Sequence, residues 1–122
     1  MRVLIACEYS GRVRDAFIRR GHDAVSCDLL QSESPGPHIQ GSVIDLLRCS
    51  WDLVIAHPPC TRLCNSGVRW LHERDLWDDM REGCAFFNAC LHANAPMVAV
   101  ENPVMHKYAR ERIGRGPDFT IQ

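Results

Sequence analysis

Cys60 follows two prolines, and those follow a short apolar run, residues 53–56 (L-V-I-A). A run so short and β-branched reads as a buried strand, and prolines, which lack an N–H, stop its ladder. A thiol delivered by a rigid loop at the end of a core strand is a candidate nucleophile, because a thiolate adds readily to electron-poor carbon. A polar turn of Asn65, Ser66 and Gly67 follows it. Farther along, residues 97–100 (M-V-A-V) repeat the device and deliver Glu101 and Asn102 before Pro103. A carboxyl there can hold or share a proton in acid–base work. Glu8 and Asp28 also stand just past apolar runs. One thiol, one amide and three acids thus fall at expected strand ends, the edge at which open α/β sheets bind ligands. A lone cysteine is more often packing; the convergence is what sets Cys60 apart.

The elements that position these residues read in order. Residues 2–7 (R-V-L-I-A-C) form a continuous apolar run, as a central parallel strand does. Residues 8–11 (E-Y-S-G) turn the chain into a helix with Val13, Ala16 and Phe17 on its apolar face, Ser10 as its cap and Gly21 at its close. A second strand ends at Asp28. Strand, glycine turn, helix, strand and acid follow the order of a nucleotide-binding β-α-β unit, with the acid about 20 residues after the turn. Only Gly11 of the glycine pattern is present, so a β-α-β unit without ligand stays open. Residues 31–37 read as a loop, 38–40 as a brief third strand, and 43–48 as a short helix capped by Ser42. After a helical turn at 68–71, one long helix over 73–92 carries Leu76, Trp77, Met80, Cys84, Phe87 and Leu91 on a core stripe. A short helix over 104–112 follows the last strand. The expectation is an α/β, Rossmann-like, doubly wound and mostly parallel sheet of about five strands.

At 122 residues, 46% hydrophobic and 24% charged, the chain reads as one globular domain, residues 1–122. A net charge of −1 gives no broad pull toward phosphates. Seven cysteines, an odd number without a paired framework, read as reduced thiols in a cytoplasmic protein. No run has the length of a signal or of a membrane span, and no metal set is expected.

On residues 8–11 (E-Y-S-G), 52–60 (D-L-V-I-A-H-P-P-C) and 100–103 (V-E-N-P), the chain resembles the DNA cytosine-C5 methyltransferases, in particular the short phage-type members. The likeness covers nearly the whole chain in the same order. It implies S-adenosyl-L-methionine as cofactor and DNA or a cytosine nucleotide as substrate, with a duplex base flipped into the pocket. By the same resemblance Cys60 is the nucleophile, Glu101 holds the ring N3, and Asn102 holds the nucleophile loop. It assigns the cofactor to Glu8, Tyr9, Ser10, Gly11, Asp28, Asp45, His57 and Pro58, with Asp28 on the ribose hydroxyls.

Departures are also visible. His57 stands where that family has a small residue, and Ser42 where it has an acid for the adenine amino group, with Asp45 close by. The arginine motif, recognition domain and closing segment of the family are missing, which leaves three expectations open: a fragment, a second subunit completing the fold, or a domain that no longer methylates DNA. Three other readings stay open: an amino-group DNA methyltransferase with a drifted Pro-Pro loop, a zinc deaminase using His57, Cys60 and Cys64, and a methyltransferase-like binding module without catalysis.

Overall fold

The computed structural model describes residues 1–60, 63, 64 and 68–121, with the side chains of 68–70 left aside. The expected polar turn at 65–67 lies outside the described residues. The chain divides into two compact units, Met1–Pro58 with Ala89–Glu101, and Pro59–Asn88 with Asn102–Gln122.

The first unit is a five-stranded, all-parallel sheet. Its strands are β1 (Arg2–Ala6), β2 (Asp23–Asp28), β3 (His38–Gln40), β4 (Leu53–Ala56) and β5 (Met97–Val100), in the order β3-β2-β1-β4-β5. Flanking helices complete an α/β, Rossmann-like fold, as the sequence pattern predicts. β1 is continuously apolar because both of its faces are covered. Val3 and Ile5, with Ala24, pack against Val13, Phe17, Leu53 and Ile55. On the other face Leu4, Ala6, Val54 and Ala56 are equally inaccessible. β5 closes the sheet as an edge, alternating exposed and half-buried residues. The chain order reverses between β1 and β4, so the switch point of the sheet lies at their C-terminal ends.

Helix α1 (Arg12–Arg19) connects β1 to β2, and Gly21 leaves it with a left-handed φ of 88°. The expected helix at 43–48 is only a single 3-10 turn, Leu46–Arg48. Ser42 Oγ accepts from the Ile44 N–H instead of starting a longer helix.

The second unit is helical: α2 (Val68–Arg74), most of α3 (Trp77–Leu91) and α4 (Lys107–Ile113). The single helix expected over 73–92 is two. Asp75 takes a left-handed φ of 51° and breaks it, although the apolar spacing runs on across the break. Met80, Cys84 and Phe87 are buried, as a core stripe should be, while Trp77 meets His72 and Tyr108 edge-on. α4 starts later than the sequence suggests, because His106 accepts from the Ala109 N–H and so caps it. Among the described residues no helix is long and apolar enough to cross a membrane.

Candidate active site

Register places four side chains in one row. Ala6 pairs with Cys27 and with Ala56, and Ala56 with Val100. Asp28, Cys7, His57 and Glu101 are therefore the terminal residue of β2 and the first residues past β1, β4 and β5. The ladders continue there: Glu8 N–H donates to Cys27 O at 3.2 Å, His57 N–H to Ala6 O at 3.0 Å, and Glu101 N–H to Ala56 O at 3.0 Å. At about 4.8 Å per strand the row spans roughly 14 Å. Sequence reasoning placed Asp28, His57 and Glu101 individually and missed Cys7 and the alignment, since register is not visible in one strand at a time.

At the switch point a crevice of about 350 Å³ opens between Cys7, Glu8, Tyr9, Ser10, Arg12, Val13 and His57. Glu8, Tyr9, Ser10 and His57 of the expected cofactor set come together here. Glu8, however, is 6% exposed and spends its carboxylate on α1. Val13 N–H donates to its Oε1 at 2.7 Å, Ser10 Oγ to the same atom at 3.0 Å, and Arg14 N–H to Oε2 at 3.3 Å. Ser10 Oγ in turn accepts from Arg12 N–H at 3.3 Å. An internal carboxylate thus fills the positive end of the helix, the place where a phosphate binds in dinucleotide folds. The cap is Glu8 with Ser10, where the sequence suggested Ser10 alone.

Asp28 Oδ1 accepts from Leu30 N–H at 2.9 Å, which starts the following loop. A carboxylate has further acceptor capacity for sugar hydroxyls. Asp45 is exposed at the start of the 3-10 turn and is absent from the crevice lining. Pro58 is buried. At Gly11 the space a Cβ would take is filled from within the chain, since it would meet Ser34 Oγ at 2.3 Å and Arg14 Nη2 at 2.6 Å.

That close approach belongs to a residue the sequence reading overlooked. Arg14 is fully buried, and its guanidinium holds the loop 31–37. Nη1 donates to Ser26 Oγ (3.0 Å) and Ser32 Oγ (3.1 Å), Nη2 to Ser34 Oγ (2.8 Å) and Pro35 O (3.2 Å), and Nε to Asp15 Oδ1 (2.9 Å). Gly36 lies against the same group, where a Cβ would sit 2.8 Å from Nη2. Arg14 holds the Asp15 carboxyl below its ordinary value by hydrogen bonding. The loop also reaches the crevice, since Glu33 N–H donates to Tyr9 O at 2.8 Å.

In the second unit Cys60 is half-buried. Its carbonyl accepts from Leu63 N–H (2.9 Å) and Cys64 N–H (3.1 Å), closing a turn. Cys64 then bridges Met105 in antiparallel sense, and His106 N–H donates to Leu63 O at 2.8 Å. The segment after Cys60 is thereby joined to the segment after Asn102. Asn102 Nδ2 donates to Pro103 O at 2.5 Å, and its buried Oδ1 accepts from no described residue.

The other thiols differ. Burial pushes Cys7 up to about 12, helped by Cys90 and Asp28, and Cys90 up to about 11. Among the described residues no group of three or more His, Cys, Asp or Glu side chains could hold a metal ion. Comparison with family models, with curated proteins and with solved structures finds no match for this chain.

Proposed function

We propose that this protein is a cytoplasmic DNA cytosine-C5 methyltransferase that uses Cys60 as its nucleophile and S-adenosylmethionine as its methyl donor. The observation that carries the proposal is the backbone junction in the second unit. Leu63 and Cys64 pair with Met105 and His106, which joins the segment just past Cys60 to the segment just past Asn102 within the second unit, although the two lie far apart in sequence. Asn102 Oδ1, which accepts from no described residue, provides an acceptor within that same unit.

The crevice favours this cofactor over a dinucleotide. Glu8 already occupies the N–H groups at the start of α1, so a diphosphate would meet a carboxylate there. A nucleoside bearing a cation and no phosphate suits a sheet edge that carries Asp28, Glu8 and Glu101. Asp28 would take the ribose hydroxyls, and Tyr9 and His57 would bound the ligand.

Cys60 Sγ forms a bond to C6 of the cytosine ring, and the displaced electron pair makes C5 nucleophilic. Glu101 shares a proton with N3 and so stabilises the charge that builds on the ring. S-adenosylmethionine supplies the electrophilic methyl group that C5 takes. Loss of the C5 proton to solvent then re-forms the double bond and breaks the C6–S bond, which returns Cys60 as a thiolate. The test is transfer of labelled methyl to cytosine-containing DNA, with transfer lost in Cys60→Ser. Wild-type protein that binds the cofactor yet transfers nothing would favour the binding-module reading.

A further inference from the structure

The crevice at the switch point holds a cation that no internal contact uses. Arg12 lines it and is exposed, and among the described residues its guanidinium makes no hydrogen bond or ion pair. Its backbone N–H is already bonded to Ser10 Oγ. The neighbouring Arg14 offers nothing to a ligand, because it is fully buried and its donors are taken by the 31–37 loop.

An acidic group entering this crevice would ordinarily seek the start of α1. Here Glu8 has filled that place, with Val13 N–H at 2.7 Å and Arg14 N–H at 3.3 Å. A ligand carboxylate is therefore turned away from the backbone donors and toward side-chain cations. Arg12 and His57 are the two side chains of the lining able to carry positive charge. A guanidinium fork matches a carboxylate in shape and charge.

We propose that Arg12 is the specificity residue that recognises the α-carboxylate of the cofactor's amino-acid arm, with His57 as the second polar wall of that subsite. This rests on the proposed function, since it assumes an S-adenosyl ligand in the crevice. Glu8 then acts as the internal anion that forces the carboxylate onto Arg12. Arg12 binds and orients the ligand and takes no part in bond making.

The experiment is calorimetric titration of the full chain with two probes, S-adenosylhomocysteine and its decarboxylated analogue, which keeps the amine and lacks the carboxylate. Wild type is expected to bind the first about tenfold more tightly, the size of one charge-assisted contact at a partly exposed site. Arg12→Gln should lose that preference by weakening the first ligand and leaving the second within about twofold. Arg12→Lys should keep part of it. An equal loss for both ligands, or none for either, would overturn the role of Arg12 while leaving the S-adenosyl site standing. Wild type that binds neither probe would sink the cofactor assignment, and this subsite with it.

Discussion

Two neighbouring strands at the centre of the sheet each lead to a cysteine, and the two thiols are built for opposite fates. Cys7 comes directly after β1, with a left-handed φ of 60°, and is half-buried in the lining of the crevice. Burial and the nearby Cys90 and Asp28 push its thiol up to about 12, so it stays protonated at any physiological pH. Cys60 comes after β4 and a pair of prolines, and keeps partial exposure at the start of a turn. A nucleophilic thiol needs an ionised sulfur as well as access, and Cys7, although it lines the crevice, lacks the first. Position past a central strand is therefore not enough. What distinguishes the Cys60 position is the pair of prolines before it, which end the strand so that the cysteine begins a turn.

The sharpest way to break that contrast is to exchange the two roles. Cys60→Ser should lower methyl transfer by at least about a thousandfold, because a hydroxyl is a far weaker nucleophile. Cys7→Ser should cost far less than that, since this sulfur lines the crevice but forms no bond to the ring in the proposed chemistry. Iodoacetamide at pH 8 gives a second view. Exposed Cys49 should alkylate readily, and Cys7 and Cys90 should resist until the protein unfolds, as peptide mapping would report. Rapid labelling of Cys7 in the folded protein would remove the distinction.

The surroundings of the β1 end can be sharpened next. Arg14→Met removes a buried guanidinium and leaves several loop acceptors unmet, so denaturant unfolding should show a loss of about 3 kcal/mol. Glu8→Ala uncaps α1 and should cost about 1–2 kcal/mol in the same measurement. The Asp15 carboxyl contributes through pH. Its value is lowered in the folded protein, chiefly by Arg14, so its contribution is complete above the unfolded carboxylate value and fades as pH falls through the folded one. Thermal midpoints should drop on acidification below about pH 4, and less so in Asp15→Asn. Smallest of all, Asp75→Gly should stabilise the second unit by up to about 1 kcal/mol by relieving its left-handed backbone.

The sheet was readable from the chain because its strands are short apolar runs ended by punctuation: Gly11 after β1, Asp28 after β2, Pro58 after β4, Pro103 after β5. Even the three-residue β3 stood out between glycines. Failures came where the deciding interaction is nonlocal. Arg14 on a helix beside Val13 and Phe17 looks like a solvent-facing charge until the 31–37 loop folds over it. The capping of α1 by Glu8 was hidden because its partners, two backbone N–H groups, carry no sequence signature. The break at Asp75 has no proline or glycine to announce it, and the apolar spacing continues through it. At the site, residue types and order were legible, whereas the shared level of Asp28, Cys7, His57 and Glu101 required the register.

The contrast between the two thiols is tested most directly by mass spectrometry of the protein incubated with S-adenosylmethionine and an oligonucleotide carrying 5-fluorocytosine, whose fluorine cannot leave as the C5 proton does. A covalent DNA adduct mapped to the peptide bearing Cys60, and absent in Cys60→Ser, is the predicted result. An adduct on another cysteine, or labelled methyl transferred to cytosine with no adduct formed, would contradict it.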